Sequence, residues 1–394
     1  MNREEISETE KKERRRVGVG GRGKGRRRRR RLEGQHSHTS LDLSYAFRIY
    51  HFLHTSSSII ITMAAEKSPN SDDPVHPKYL HEDEELSQQC KDLIATLPTE
   101  SGWINDQLHQ YNGFWFAKWH LQGIINCQNH FQAQDSDILL VTTPKSGTTW
   151  LKALAFAILN RNNHYHSHLL TTNPQDLVPF LDMNLYYQKA IPDLSLMPSP
   201  RLFATHLPYL LLPESVKQSG CKIVYLCRNP KDLFVSAWHF VNKIRSETRG
   251  SLSIEDSFDK FCRGVIGFGP FWEHMLGYYK ESLERPDKVM FLRFEELKDE
   301  PVKILKLLAK FIGSGFSKDE ENGKVVENIL KLCSFEGLSN LEVNKSGKNQ
   351  LGVVNSAFFR TGEVGDWKNF LTLDMIKRLD DIAQEKLGKY GLKF

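Results

Sequence analysis

Short apolar runs alternate with longer stretches of helical periodicity from about Glu82 onward. The apolar runs predict β-strands at residues 137–143, 201–205, 222–227 and 288–293. Hydrophobic positions repeat with a helical period near residues 148–160, 231–244, 254–264, 268–284 and 301–312. Strands that are apolar on both faces and separated by helices predict a parallel β-sheet sandwiched by helices, an α/β fold. No linker or repeat divides residues 82–394, so we expect them to form a single domain.

The first predicted strand is followed by a loop rich in hydroxyl groups, TTPKSGTTW, from Thr142 to Trp150. The N–H groups of such a loop and of the helix that follows can cradle a phosphate, because the first turn of a helix leaves its N–H groups unpaired. Lys145 adds a mobile cation. The hydroxyl donors of the loop are Ser146, Thr148 and Thr149. We interpret the loop as a P-loop-like phosphate site; the alternative is an ordinary strand-to-helix turn.

The position of the lysine distinguishes this loop from that of a nucleotide triphosphatase. A Walker A motif has the sequence G-x-x-x-x-G-K-[ST], with the lysine directly after the second glycine. Here Thr148 follows Gly147, and Lys145 comes two residues before the glycine. No apolar strand ending in aspartate supplies the carboxylate that would help to hold magnesium opposite the loop. The loop therefore suits a nucleotide 5′-phosphate that carries a transferable group without a metal, whereas the alternative, a P-loop kinase, would require magnesium.

Polar residues also follow the later predicted strands and precede the C-terminal helix. Because ligands of such sheets bind beyond the carboxyl ends of the strands, we expect these residues near the loop. Arg228 follows the third strand, and Ser236 lies eight residues later on a helix, which suggests a second phosphate site. Arg360 and the backbone of Gly362 would close a third side of it. Taken singly, each arginine could equally form a surface ion pair.

His206 follows the second predicted strand, in the sequence Thr205-His206-Leu207-Pro208. An imidazole has an ordinary pKa of about 6.5, which suits it to general base catalysis near neutral pH. The chain has 15 histidines, most of which are expected to be structural or exposed. The position of His206 at the carboxyl end of a strand makes it the candidate base.

The charge of the chain is unevenly distributed. The 394 residues are 40% hydrophobic and 26% charged, which suits a globular protein with a sizeable core. Residues 1–34 hold 14 Lys and Arg against 6 Asp and Glu, a net charge of +8, whereas the whole chain has +5. The remaining residues therefore carry −3, so the basic character belongs to the N-terminal segment.

The basic segment includes six consecutive arginines, Arg26–Arg31, and has too little apolar surface to fold. We interpret residues 1–62 as a basic, disordered extension or a result of start-site choice, since Met63 opens an ordinary acidic N-terminus. Residues 63–81 form a lead-in to the domain. Residues 46–62 fall short of the roughly 20 apolar residues that span a bilayer and lack a signal-cleavage pattern. We expect neither membrane attachment nor nucleic-acid binding, although a nuclear-targeting or RNA-binding role for the arginines is the alternative.

The cysteines indicate neither a zinc site nor a disulfide framework, because no C-x-x-C pair is present. They are expected to be reduced thiols that fill the core of an intracellular protein. They are Cys90, Cys127, Cys221, Cys227, Cys262 and Cys333.

Three ordered motifs resemble the cytosolic sulfotransferase family, particularly its plant-type members. They are TTPKSGTTW, the block YLCRNPKDLFVSAWHF at residues 225–240, and FFRTGEVGDWKN at residues 358–369. The stretches at residues 262–279 and 333–346 strengthen the plant-type resemblance. The similarity covers residues 82–392 and implies a single catalytic domain in the cytoplasm.

The resemblance implies transfer of a sulfuryl group from 3′-phosphoadenosine 5′-phosphosulfate (PAPS) to a hydroxyl group, with no metal. His206 would deprotonate the acceptor, and Lys145 would stabilise charge on the leaving phosphate, much as positioning and electrostatics accelerate phosphoryl transfer. The residues implied to bind the 5′-phosphosulfate and neighbouring nucleotide are Lys145, Ser146, Gly147, Thr148, Thr149 and Trp150. Those implied to bind the 3′-phosphate end are Arg228, Ser236, Arg360, Thr361 and Gly362, with Phe294 on the adenine side.

The chain departs from the family pattern at several positions. Ala204 stands where the family often has a lysine, as in plant-type members, and Thr361 replaces the usual lysine beside Arg360. Phe294 replaces a tyrosine and so loses one hydroxyl hydrogen bond, worth about 1 kcal/mol. The dimer signature of the animal-type members is incomplete at residues 368–377, so we expect a monomer.

Aromatic, mostly uncharged walls around His206 would select a small hydrophobic acceptor. The resemblance suggests a flavonoid, a brassinosteroid or a hydroxylated jasmonate, and the sequence does not choose among them. The candidate wall residues are Phe114, Trp115, Phe116, Phe180, Tyr186, Tyr187, Phe268 and Trp272. Each of these residues has a core position as its alternative.

Overall fold

A computed structural model describes residues 86–162, 167–188, 190–245 and 250–394. The predicted extension, residues 1–62, and the lead-in, residues 63–81, lie outside the described residues. The domain boundaries therefore stay predictions. No helix in the described ranges is long and apolar enough to cross a membrane.

A parallel four-stranded sheet lies at the centre of the described chain. Its strands are β4 (Ile138–Thr142), β5 (Leu202–Thr205), β6 (Lys222–Cys227) and β7 (Val289–Arg293), in the order β5-β4-β6-β7. Strand β4 is buried along its whole length, as expected for an apolar strand covered on both faces. The predicted strands and the α/β fold with a parallel sheet between helices are confirmed.

The register of the sheet brings the carboxyl ends of the strands to one edge. Val141 of β4 pairs with Thr205 of β5, Thr142 pairs with Leu226 of β6, and Cys227 pairs with Arg293 of β7. The residues that follow these strands therefore lie side by side, although they are far apart in sequence. This edge is where ligands of parallel sheets bind.

Helices account for most of the rest of the described chain. The first set comprises α1 (Gln88–Ile94), α2 (Lys118–His130), α3 (Thr148–Asn160), α4 (His168–Thr171), α5 (Pro174–Leu177), α6 (Glu214–Gln218), α7 (Pro230–Ile244) and α8 (Ile254–Cys262). The second set comprises α9 (Phe271–Glu284), α10 (Phe294–Asp299), α11 (Pro301–Phe311), α12 (Lys318–Asn322), α13 (Val325–Leu332), α14 (Phe335–Ser339), α15 (Glu342–Lys345) and α16 (Leu373–Leu387). A π-helix spans Leu181–Leu185, and 3-10 turns lie at Tyr209–Leu211, Asn355–Phe358, Asp366–Asn369 and Gly388–Tyr390.

The predicted helices are present with small shifts at their ends. The largest shift is in α9, which begins at Phe271 and not at residue 268. Phe268 has a φ of 66°, in the left-handed region, and cannot belong to a right-handed helix. Pro270 is the N-cap residue, so the helix begins directly after it.

A small antiparallel sheet near the start of the described chain was not predicted. Its strands are β1 (Thr99–Ser101), β2 (Gln107–Tyr111) and β3 (Phe114–Phe116), in that order. Asn112 and Gly113 connect β2 to β3 with φ values of 49° and 84°. An Asn-Gly pair between two β-rich runs is a strong hairpin signal, so this feature was present in the sequence.

The cysteines are free, and only Cys262 is not fully buried. Burial raises the pKa of the Cys90 thiol and of the Cys262 thiol to about 11. A thiol with a raised pKa is a poor nucleophile near neutral pH, which agrees with the expected role of the cysteines as core residues.

Candidate active site

A cavity of about 570 Å³ opens at the carboxyl edge of the parallel sheet. It extends from the loop after β4 to an apolar region lined by residues 103–108, by the start of α2 and by residues near position 350. The predicted site residues that line it are His206, Lys145, Gly147, Thr148, Thr149, Trp150, Arg228, Ser236, Phe294, Arg360, Thr361 and Gly362. The structure therefore brings together residues from five separate segments of the chain.

Ser146 is the exception, because it is fully buried inside the loop and does not line the cavity. Its Oγ lies 2.5 Å from Oγ1 of Thr143. Its backbone N–H donates to the carbonyl oxygen of Thr143 over 3.2 Å. The Ser146 side chain thus closes the loop internally, and the structure does not show it directed at a ligand.

The loop between β4 and α3 has an unusual backbone. Lys145 and Gly147 have φ values of 71° and 111°, both in the left-handed region. A residue other than glycine in this region stores strain, a feature that occurs often at ligand sites. The loop thus turns sharply and ends at the start of α3, where unpaired N–H groups and the helix dipole favour an anion.

Gly147 lies against Phe294, the first residue after β7. A Cβ atom at position 147 would lie 2.8 Å from Cδ2 of Phe294 and 3.1 Å from Cδ2 of Leu226. Position 147 therefore requires glycine both for its backbone conformation and for the close approach of the neighbouring strand ends.

Lys145 lies among other cations. Burial first, and then the charges of Arg228, Arg360 and Lys243, lower its pKa to about 7. Its Nζ is 4.0 Å from the centre of the Phe240 ring, which gives the ammonium group a favourable aromatic contact. Cations brought together in this way repel one another, so an anion placed between them would be strongly favoured.

Arg228 forms the centre of a second cationic pocket. It is only 5% exposed, and its guanidinium carbon lies 4.6 Å from the centre of the Phe294 ring. Nη2 donates to the carbonyl oxygen of Glu363 over 2.7 Å, whereas Nε has no partner in the described chain. Burial is the main factor that lowers the pKa of this arginine. A buried N–H without a partner is costly and is consistent with a site that a ligand completes.

Asp232 of α7 fastens the loop that carries Arg360. Its carboxylate accepts hydrogen bonds from the backbone N–H of Gly365, over 2.7 Å, and of Trp367, over 3.1 Å. Arg360 pairs with Asp366 over 2.6 Å, and its Nε has no partner among the described groups. Asp232 thus helps to hold the Arg360 loop beside Arg228, with Ser236 one helical turn away from Asp232 on the same face.

His206 lies between the loop and the apolar part of the cavity. Its Nδ1 is 2.6 Å from the carbonyl oxygen of Thr142, which can only accept a hydrogen bond. Nδ1 therefore carries the proton, and Nε2 retains a lone pair with no partner in the ranges described. Burial, the largest effect, lowers the pKa of His206 to about 3, so the imidazole is neutral near pH 7.

His274 and Tyr225 support His206 from behind. Nε2 of His274 lies 2.9 Å from the backbone oxygen of His206, and Nδ1 of His274 lies 3.1 Å from the hydroxyl of Tyr225. The carbonyl oxygen accepts from Nε2–H, so Nδ1 accepts from the tyrosine hydroxyl. This chain of hydrogen bonds fixes the backbone of His206 from α9 and β6.

The aromatic wall was only partly predicted. Phe180 and Phe268 line the cavity, and their rings lie 4.8 Å and 5.3 Å from the His206 ring. The other six candidates do not line it. Phe114, Trp115 and Phe116 form β3. Tyr186 and Trp272 are buried in the core, which is the alternative position expected for such large hydrophobic side chains. Tyr187 likewise lies outside the cavity lining.

Several residues of the apolar region were missed by sequence analysis. They are Trp103, Leu108, Trp119, His120, Ile266 and Leu351. Trp119 and His120 lie at the start of α2, whereas the other four lie in loops or in the short strand β2, and only the tertiary fold brings all six into one cavity with His206. A helical or strand period gives no signal for such a wall.

The described residues contain no group of histidine, cysteine and carboxylate side chains that could hold a metal ion. The expectation that the reaction needs no metal stays a prediction.

Comparison with known proteins identifies relatives that match most of the chain. Residues 135–391 match the sulfotransferase domain family. Cytosolic sulfotransferase 15 of Arabidopsis thaliana is 50% identical over 319 residues, which are 79% of this chain and 89% of that relative. Cytosolic sulfotransferase 12 of the same plant is 49% identical over 323 residues, covering 81% of this chain and 97% of that relative.

Solved structures show the same fold. A crystal structure assigned to a steroid sulphotransferase of Arabidopsis thaliana has a TM-score of 0.62 and 42% identity, and the match covers 79% of this chain and 99% of that one. A mouse sulfotransferase complexed with PAP has a TM-score of 0.54 and 26% identity, with 71% and 94% of the two chains covered.

Proposed function

The chain belongs to the sulfotransferase family and is a transferase, and we propose that it moves a sulfuryl group from PAPS to a hydroxyl of a small hydrophobic or aromatic metabolite. Family membership supports sulfuryl transfer in general. We further propose the identity of the donor, the class of the acceptor and the role of each residue.

The two cationic pockets match the two phosphate groups of PAPS. Lys145, Thr148 and Thr149 hold the 5′-phosphosulfate at the start of α3. Arg228, Ser236 and Arg360 hold the 3′-phosphate, and Trp150 and Phe294 contact the nucleotide between them. The mouse relative was solved with PAP, the product that the donor would leave. The unpartnered Nε atoms of Arg228 and Arg360 support this assignment, because each can bind an additional acceptor oxygen.

His206 acts as the general base. The lone pair on Nε2 takes the proton of the acceptor hydroxyl while the acceptor oxygen forms a bond to sulfur. The bond from sulfur to the 5′-phosphate oxygen breaks, and that oxygen leaves with the electron pair. The ammonium group of Lys145 stabilises the charge on it. The imidazolium then releases its proton to water.

The low pKa of His206 fits this role when the donor is considered. Burial keeps the free imidazole neutral and so available at neutral pH without prior deprotonation. An anionic donor beside the ring stabilises the imidazolium as it forms, which raises the basicity of Nε2 during the reaction.

The arrangement of cations around Lys145 is the observation that carries the proposal. Burial first, and then the charges of Arg228, Arg360 and Lys243, lower its pKa to about 7, and Arg360 lies more than a hundred positions from the other two cations. A fold that gathers them beside a neutral histidine is suited to a multiply charged anion whose reactive group faces that histidine.

The apolar end of the cavity supports a flat or hydrophobic acceptor such as a flavonoid, a brassinosteroid or a hydroxylated jasmonate. The named relatives are cytosolic sulfotransferases, which supports a cytoplasmic location. A monomeric state and independence from nucleic acid and from metals belong to the same proposal.

Transfer of labelled sulfate from PAPS to a panel of hydroxylated metabolites tests the proposal. We expect a labelled ester with at least one hydrophobic acceptor, and we expect the rate to be unchanged in excess chelator. Strict dependence on magnesium, or transfer from labelled ATP in place of PAPS, would support the kinase alternative and contradict the proposal.

A further inference from the structure

Lys152 is a fully buried lysine on α3, one turn after the phosphate loop. Its Nζ lies 3.4 Å from the centre of the Phe180 ring, and burial holds its pKa well below the usual range. Burial of an amine is costly unless its N–H groups are paired. None of the reaction steps proposed above uses Lys152, so they do not explain why the protein buries an amine at this position.

Gln175 of α5 provides the partners of Lys152. Nζ of Lys152 lies 2.9 Å from Oε1 of Gln175 and 3.4 Å from the backbone oxygen of the same residue. Both oxygens accept hydrogen bonds from the amine. The other end of the amide, Nε2, lies 2.7 Å from Oγ1 of Thr149.

The lysine determines the orientation of the Gln175 amide. The oxygen and nitrogen of a side-chain amide have similar shapes, and their positions follow from their neighbours. Since the amine of Lys152 supplies hydrogens, the amide oxygen faces it. Nε2 must then face Thr149, and it donates a hydrogen bond to Oγ1.

This donation constrains the hydroxyl of Thr149. Oγ1 of Thr149 accepts a hydrogen bond from Nε2 of Gln175. The hydroxyl hydrogen of Thr149 therefore points away from Gln175 and can be donated to another acceptor. Thr149 lies in the first turn of α3 and lines the cavity. A phosphate oxygen can only accept a hydrogen bond, so it requires the hydroxyl in this orientation.

We propose that Lys152 and Gln175 are positioning residues that present the Thr149 hydroxyl as a hydrogen-bond donor to the 5′-phosphate of the sulfuryl donor. The inference rests on the proposed function and deepens it, since it adds the buried Lys152, and through it the amide of Gln175 at the cavity wall, to the phosphate site. Lys152 and Gln175 act through Thr149 and do not themselves touch the reacting atoms.

A double-mutant cycle on Lys152→Met and Thr149→Val tests the inference, with affinity for adenosine 3′,5′-bisphosphate measured by calorimetry. Lys152→Met has a similar length and no amine, so Gln175 can rotate. We expect on the order of tenfold weaker binding. In the Thr149→Val background the same substitution should have no further effect, whereas in the Thr149→Ser background, which keeps the hydroxyl group, it should weaken binding as it does in the wild type.

Adenosine 3′-monophosphate is the matched probe, because it lacks the 5′-phosphate. Its affinity should be the same for wild type and Lys152→Met. The melting temperature of Lys152→Met should be unchanged or higher, since it removes a buried amine. Gln175→Leu provides a second variant with the same expected loss if Lys152→Met does not fold.

Independent effects in the cycle, or an equal loss of affinity for adenosine 3′-monophosphate, would show that Lys152 is merely structural and would overturn the inference. If wild type itself does not bind adenosine 3′,5′-bisphosphate, the proposed function fails instead. The two failures are therefore distinguishable.

Discussion

At the scale of single residues, a substitution of His206 distinguishes the chemical step of the reaction from nucleotide binding. His206→Ala removes the lone pair on Nε2 but none of the cations that surround Lys145. Turnover should fall at least about a hundredfold, because general base catalysis usually accelerates a reaction by at least that factor. The affinity for adenosine 3′,5′-bisphosphate should change little.

His130→Ala is the matched control, because His130 is exposed at the end of α2. Its turnover should equal that of the wild type. Parallel loss of turnover and nucleotide affinity in His206→Ala would mean that the imidazole has only a structural role.

The pKa of Lys145 predicts how nucleotide binding depends on pH. With a pKa of about 7, the amine is protonated below pH 7 and increasingly neutral above it. The anion binds the protonated form, so affinity should fall by up to about tenfold for each pH unit above 7. Binding at pH 8 should take up a proton, which calorimetry in buffers of different ionisation enthalpy can measure.

Lys145→Met serves as the control for this proton uptake. It should bind more weakly, with the pH dependence above pH 7 lost. Uptake that persists in Lys145→Met would assign the titration to another group and contradict the role given to this lysine.

Residues that follow strands could be predicted, whereas those that support them from behind could not. His206 and Arg228 come directly after an apolar run, and Lys145 comes a few residues after one, which are positions that the sequence displays. Lys152 and His274 lie within helical patterns, where a polar residue is expected on the exposed face. Their burial follows from the packing of other elements, which no local pattern contains.

At the scale of elements, the turn from β4 to α3 depends on the glycine at its end. Gly147→Ala places a methyl group 2.8 Å from the Phe294 ring at a φ of 111°. Backbone strain of this kind costs about 1–3 kcal/mol, and Phe294 would have to move. We expect a lower melting temperature. We also expect at least about tenfold weaker nucleotide binding, because a shifted loop would lose a hydrogen bond to a charged phosphate.

Gly113→Ala is the control for Gly147→Ala, because the two glycines have a similar backbone conformation but different surroundings. Gly113 has a φ of 84°, and a Cβ atom there meets nothing within 4 Å. This variant should lose stability without losing nucleotide affinity. Equal nucleotide affinity in Gly147→Ala and Gly113→Ala would show that the close approach at position 147 does not shape the site.

Periodicity sufficed for the parallel sheet but not for the small elements. Strands β4 and β6 are continuous apolar runs, and long helices such as α7 have a clear amphipathic pattern. By contrast, β1 and β3 each have only three residues, too few to establish a period. The second pocket also depends on Asp232, whose hydrogen bonds to the Arg360 loop join segments more than a hundred positions apart.

At the scale of the whole molecule, the site described here uses no residue before position 86. A variant that lacks residues 1–62 should therefore keep the turnover and nucleotide affinity of the full chain. The truncation removes the arginine block, so any weak, salt-sensitive retention on a polyanion should decrease. Loss of sulfuryl transfer on truncation would mean that the N-terminal segment contributes to the active site.

The account as a whole depends on two separate cationic pockets that bind the two ends of one bis-phosphorylated nucleotide. Calorimetric titration of the full chain with adenosine 3′,5′-bisphosphate and with AMP measures this most directly, because the two ligands differ only in the 3′-phosphate. We predict that the bisphosphate binds at least about tenfold more tightly, given the charge-assisted hydrogen bonds available from Arg228 and Arg360. Equal affinity for the two nucleotides would contradict the account.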